Sequence, residues 1–172
     1  MDLGEIPTMS EGDTFIFRSV EFPQANDLRK VFSVTQLASV QDTATADEIA
    51  AYLDMVPREG AYYGSAACSL RLLQKYESAA GTNYRLTEMG RHWFEAESWL
   101  KPKLMISRTM DSPHVKYVAH RLGHQLPLAI PIGGALLDQA AVARALIELV
   151  ALNASTQARR ASTIVAWMRT LN

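Results

Sequence analysis

Only one cysteine, Cys68, occurs in the 172 residues, so no disulfide can form within the chain and the fold must rest on its apolar core. Cys68 stands among small residues on an expected helix with nothing nearby to lower its pKa, which reads as packing and not as a nucleophile. No apolar run approaches membrane-spanning length and no basic leader precedes an apolar stretch, so neither a membrane span nor a secretion signal is expected and the expected location is cytoplasmic. An excess of positive charge is also missing. A net charge of −1 argues against non-specific coating of nucleic acid. The usual catalytic constellations are absent as well. No Asp is followed at a distance by Glu-x-Lys on an alternating strand, Gly133-Gly134 lacks the lysine of a phosphate loop, no serine sits in a hydrolase elbow, and Cys68 has no histidine in sequence context. The chain is therefore expected to carry no catalytic site, no cofactor and no metal of its own.

What is present is a composition that folds: 48% hydrophobic and 20% charged residues, with length for one medium domain or two small ones. Charge is unevenly placed. Residues 1–100 hold 8 Lys or Arg against 15 Asp or Glu, whereas residues 101–172 hold 9 against 3. Two readings stay open: a phosphate-facing surface drawn mainly from the second half, or two halves of opposite sign packed on each other. The sign changes at Lys101-Pro102-Lys103, where Pro102 is expected to end a helix. The expected division is therefore 1–100 and 101–172.

The most informative stretch is residues 45–94. Thr45 stands three residues before Glu48, a capping box that starts a short helix. A longer helix is expected over residues 59–75, with Tyr63, Ala66, Ala67, Leu70 and Leu73 inward. Arg58, Tyr62, Ser65, Ser69 and Leu72 then lie nearer the open side, which is light in charge. Gly81 and Asn83 mark a hairpin tip, Tyr84, Arg85 and Leu86 a return strand, and Thr87 the cap of a helix carrying Trp93 and Phe94. Upstream, residues 1–12 read as a draped arm and residues 13–22 alternate as a strand able to pair with the return strand. A helix follows Asn26 or Asp27 as far as Val40. Trp93, Phe94, Trp99 and Leu100 are expected to close the core between the halves. The fold class that follows is mainly α with a small β component.

Short helix, turn, longer helix, hairpin, helix is the order of a winged helix-turn-helix. The string with Tyr62-Tyr63 before the apolar stripe, followed by Leu86-Thr87-x-x-Gly90, resembles the winged-helix modules of prokaryotic restriction endonucleases and related restriction-modification proteins. This resemblance implies DNA recognition, with Arg58, Tyr62, Ser65 and Ser69 offered to a major groove and Asn83 and Arg85 meeting backbone from the wing. Winged helices also serve as protein-interaction modules.

In the second half, Ser112-Pro113 opens a helix that Gly123 stops. His114, His120 and His124 invite a metal reading, but the Gly123 break, the lack of a nearby cysteine and the lack of an acidic ligand make surface or phosphate-contacting histidines the better account. Residues 125–134 are apolar but broken by Pro and Gly, expected as a buried extended connection. Residues 136–152 form a helix, and Ser155 or Thr156 caps the last one. Two helices joined by a short turn match a second helix-turn-helix. The last helix carries Arg159, Arg160, Ser162, Thr163 and Trp167, which is similar to a string in restriction-associated and other prokaryotic DNA-binding proteins, with Ser162 where the commoner pattern has an amide residue.

Physically, Ser155, Thr156, Gln157, Arg159 and Arg160 would offer amides to a phosphate and two guanidinium forks to a guanine edge or the backbone, while Trp167 reads as core. No acidic residue follows Glu148 to pair with them. The resulting expectation is sequence-specific binding of double-stranded DNA as the target-recognition part of a restriction-modification system. Any nuclease activity would belong to another domain or subunit. The alternatives are a small transcriptional regulator acting as a homodimer, and a winged-helix interaction module that binds no DNA.

Overall fold

The computed structural model describes residues 23–79, 81–125, 128, 130–147 and 154–172. They are mainly helical, with one small three-stranded antiparallel sheet. The strand expected over residues 13–22 and the arm before it lie outside the described residues.

Asp27 starts the first helix: its carboxylate accepts from the Lys30 amide at 3.1 Å, and α1 (Leu28–Gln41) buries Leu28, Val31, Phe32, Thr35 and Ala38. After a short strand β1 (Thr43–Thr45), α2 (Ala46–Tyr52) begins with the reciprocal capping box: the Thr45 amide donates to Glu48 Oε2 at 2.7 Å and the Glu48 amide to Thr45 Oγ1 at 3.2 Å. Pro57 occupies the first turn of α3 (Pro57–Ser69), where its missing N–H costs nothing.

That helix is shorter than its apolar period implied. Arg71 takes φ 59°, a left-handed conformation no helix continues through, and Leu72, expected on the open side, is fully buried beside Leu73. The chain then forms β2 (Leu73–Ser78) and β3 (Gly81–Leu86), and the sheet order is β1-β3-β2. Thr43, Arg85 and Gln74 stand in one cross-strand row.

Thr87 caps α4 (Glu88–Glu95), accepting from the Gly90 amide at 3.0 Å, and Trp93 packs on Phe32 with ring centroids 4.4 Å apart. Phe94 and Trp99 correct the expectation of a closed aromatic core: Phe94 is 39% exposed, since only one face of α4 reaches α1, and Trp99, in the turn beyond α4, is 69% exposed. Pro102 begins a helix instead of ending one, because it falls in the first turn of α5 (Lys101–Asp111). Next come α6 (Pro113–Arg121), a 3-10 turn (Gly134–Leu137), α7 (Gln139–Ile147) and α8 (Ala154–Leu171). Of the connection read as buried, Gln125, Ile130, Pro131 and Gly133 are exposed and Ile132 is buried. Helix α8 starts at Ala154, so Ser155 and Thr156 lie in its first turn and not at its cap, a position outside the described residues.

One hydrophobic cluster runs from Ala25 through Ile49, Leu72 and Val118 to Leu171. Its polar seam is specific. The fully buried Trp167 donates its indole N–H to the Ala25 carbonyl at 2.7 Å, and Thr163 Oγ1 donates to Asn26 Oδ1 at 2.7 Å. Lys75 pairs with Glu77 and Lys116 with Asp111, and neither pair crosses between the acidic and basic halves. No helix among the described residues is long and apolar enough to cross a membrane. Trp167→Phe keeps most of the buried ring but strands the Ala25 carbonyl, so thermal unfolding should report a loss of about 1–3 kcal/mol.

Candidate nucleic-acid interface

Helix α3 is held unusually close to its neighbours. A Cβ on Gly60 would meet the Ala46 carbonyl oxygen at 1.9 Å, and one on Gly64 would meet Cζ of Tyr84 at 2.6 Å, so glycine at both positions lets α3 seat against α2 and the sheet. With that side committed, Arg58, Tyr62, Ser65 and Ser69 fall along the opposite stripe at spacings of four, three and four. Arg58 is exposed and its guanidinium lies 5.8 Å from the Tyr62 ring centroid, while Tyr62, Ser65 and Ser69 are half-buried. Ser65 hydrogen-bonds the Tyr84 side chain, and Ser69 donates to the Ala66 carbonyl at 2.7 Å. Cys68, on the flank of this helix, is pushed up to about 11 by burial, so it remains a protonated thiol at neutral pH.

On the hairpin, Arg85 is exposed, 5.7 Å from the Tyr76 ring centroid, and donates to Gln74 Oε1 at 3.2 Å. Asn83 has a different role from the one expected: it is only 8% exposed, and its amide donates to Ser78 Oγ and the Gly81 carbonyl, both at 2.8 Å, which ties the turn together.

The residues expected to act from α8 divide. Ser155 and Arg159 are exposed, Thr156, Gln157 and Ser162 are half-buried, and Arg159 Nη2 reaches Thr156 Oγ1 at 3.4 Å. Arg160 and Thr163 correct the sequence reading. Both face the core, because α8 packs on α1 as well as on α7 and therefore buries a wider arc than one apolar stripe. Arg160 is 4% exposed, its Nε and Nη1 have no hydrogen-bond partner among the described residues, and burial followed by the charge of Arg159 holds its pKa below the usual arginine value. The structure thus joins Arg58, Tyr62, Ser65 and Ser69 on one helix face with the β2–β3 hairpin beside them. The α8 residues form a second group, and α1 touches both α3 and α8.

One feature of the surface had no counterpart in the sequence reading. A cleft where α3 ends has the polar residues Ser69, Arg71, Arg108, Asp111, Ser112 and Lys116 and the apolar Leu70 and Met89 in its lining, drawn from α3, the turn after it, α4 and the α5–α6 junction. Arg71 would have stood inside a helix that was expected to continue, and Arg108 and Lys116 belong to separate helices, so only the fold brings the three cations together. Among the described residues no group of three or more His, Cys, Asp or Glu is placed to hold a metal. His114 is buried, with its Nδ1 3.5 Å from Ser112 Oγ.

A family model described as a domain of unknown function, DUF7226, matches residues 30–171. The chain belongs to this family. The DUF7226 match runs from the first turn of α1 to the last residue of α8, so the sheet-bearing part and the C-terminal helices fall within one family unit. No curated protein and no solved structure matches the chain.

An unpaired buried guanidinium opposes folding, and an unbranched apolar side chain could fill the same volume. Arg160→Met is therefore expected to leave the midpoint of thermal unfolding unchanged or to raise it. A fall of several degrees would mean that Arg160 has a partner on which the fold relies.

Proposed function

We propose that this protein is a sequence-specific reader of double-stranded DNA. In this reading residues 1–100 form a winged helix-turn-helix, with α3 as recognition helix and β2–β3 as wing, and residues 101–172 form a second helical unit ending in a helix-turn-helix. The order α1, β1, α2, α3, β2, β3 and the sheet order β1-β3-β2 support the first assignment. The observation that carries the reading is the outer stripe of α3: one arginine, one tyrosine and two serines, with no carboxylate, beside a wing that exposes Arg85. A helix of that kind suits a major groove, whose base edges offer acceptors to guanidinium and hydroxyl groups.

In the complex, Arg58 contributes the strongest discrimination as a fork on a guanine edge, and Tyr62 and Ser65 make adaptable contacts. Arg85 and Arg159 hold phosphates, with Ser155, Thr156 and Gln157 on a neighbouring stretch. Arg160 and Thr163 serve the fold and make no base contact. The resemblance of Tyr62-Tyr63, Leu86-Thr87-x-x-Gly90 and the α8 string to restriction-modification proteins supports a role in target recognition, with cleavage assigned to another domain or subunit.

Selection from a randomised duplex pool at two salt concentrations tests this. A defined site should be enriched, Arg58→Ala should relax one position of it at a cost of about 1–3 kcal/mol, and Arg85→Ala should weaken all sequences alike. The symmetry of the site separates a dimeric regulator from a restriction module, and a pool with no enrichment at either salt removes the DNA reading.

A further inference from the structure

We propose that the cleft at the end of α3 is a phosphodiester clamp that grips the DNA backbone beside the recognition helix. The inference rests on the DNA reading above and extends its footprint to α5 and α6. Ser69, Arg71, Arg108, Asp111, Ser112 and Lys116 form the polar part of the lining, and Leu70 and Met89 complete it. Its charges do not cancel. Asp111 is its only carboxylate and is already paired with Lys116 Nζ at 3.0 Å, which leaves the guanidinium groups of Arg71 and Arg108 without a carboxylate partner among the described residues. Two uncompensated guanidinium forks at one concave site match the planar, bidentate geometry of a phosphate.

The position matches too. Ser69 belongs both to this cleft and to the outer stripe of α3, so the clamp stands at the end of the proposed base-reading face. Ser69 lies seven residues beyond Tyr62, about 10 Å along the helix, and the major groove is about 12 Å wide. A helix that puts Tyr62 over base edges therefore brings its C-terminal end to the groove wall, where the phosphates are. Arg71 is fixed there by its left-handed turn, whose carbonyl accepts from Thr87 Oγ1 at 2.5 Å. Arg108 and Lys116 come from the basic half of the chain, which supplies the positive charge that the acidic half lacks.

The test is the salt dependence of binding of the full chain to its selected duplex. An Arg71→Gln, Arg108→Gln double variant should lower affinity for every sequence and make the slope of log K against log salt shallower by about 2, with site preference intact. Asp111→Asn, which frees Lys116, should act in the opposite direction, with tighter binding and a steeper slope. Opposite signs from two changes in one cleft separate electrostatics from damage to the fold. Arg144→Gln, on the exposed side of α7, serves as the control and should change nothing beyond the small effect of net charge. A duplex bound by the parent with the same slope in the double variant overturns the clamp and spares the DNA reading. A parent that binds no duplex overturns both.

Discussion

Three consecutive residues, Ala25, Asn26 and Asp27, tie three helices together. Ala25 accepts from the Trp167 indole at 2.7 Å and Asn26 from Thr163 at 2.7 Å, which fixes α8. Asp27 caps α1 through Lys30, and its own amide lies 3.4 Å from the Tyr63 hydroxyl on α3. These bonds join residues as far as 142 positions apart inside a seam with little access to water, where an unmade bond is costly. Everything N-terminal in the described fold takes its position from that seam. Helix α1 packs on α2, α3, α4 and the sheet, and its Phe32 meets Trp93. The C-terminal helix is thus part of what orients α3, in agreement with a family match that spans both.

The seam also decides which surfaces remain exposed. Gly60 and Gly64 press α3 into α2 and Tyr84, so a single stripe is left outward, and that stripe holds hydroxyl, aromatic and guanidinium groups. The same packing turns one side of α8 inward. Thr163 and Trp167 find partners there, while Arg160 is carried in at a desolvation cost. Arg159, one residue earlier and about 100° around the helix, stays in water. The separation of roles between two adjacent arginines is a matter of helical phase.

How much of this could be read from the chain follows the range of each interaction. Local chemistry was legible: the Thr45 and Glu48 box, the Asp27 cap, Thr87 at α4 and Ser112-Pro113 at α6 involve partners within a few residues. The end of α3 was not, because Leu70 and Leu73 continue a helical period although the first is a helix cap and the second lies on a strand, and Leu72, expected on the open side, is buried as well. A three-residue strand such as β1 carries no period to detect. Burial of Arg160 accompanies the packing of α8 on both α1 and α7, and the Arg71, Arg108 and Lys116 cleft depends on elements distant in sequence meeting. Neither leaves a trace in spacing. Of the candidate site, the α3 stripe and Arg85 were therefore legible, and Asn83, Arg160 and Thr163 were assigned to a surface that they do not reach.

Amide hydrogen exchange of the full chain, with and without its selected duplex, tests the central claim that α3 and the adjoining hairpin meet DNA. The account predicts new protection concentrated in α3, the turn at Arg71 and β2–β3, with the Ala25–Trp167 seam already slow in the free protein and unchanged on binding. Protection confined to the acidic surface of α2, or a duplex-bound protein with α3 exchanging as fast as in the free state, would contradict it.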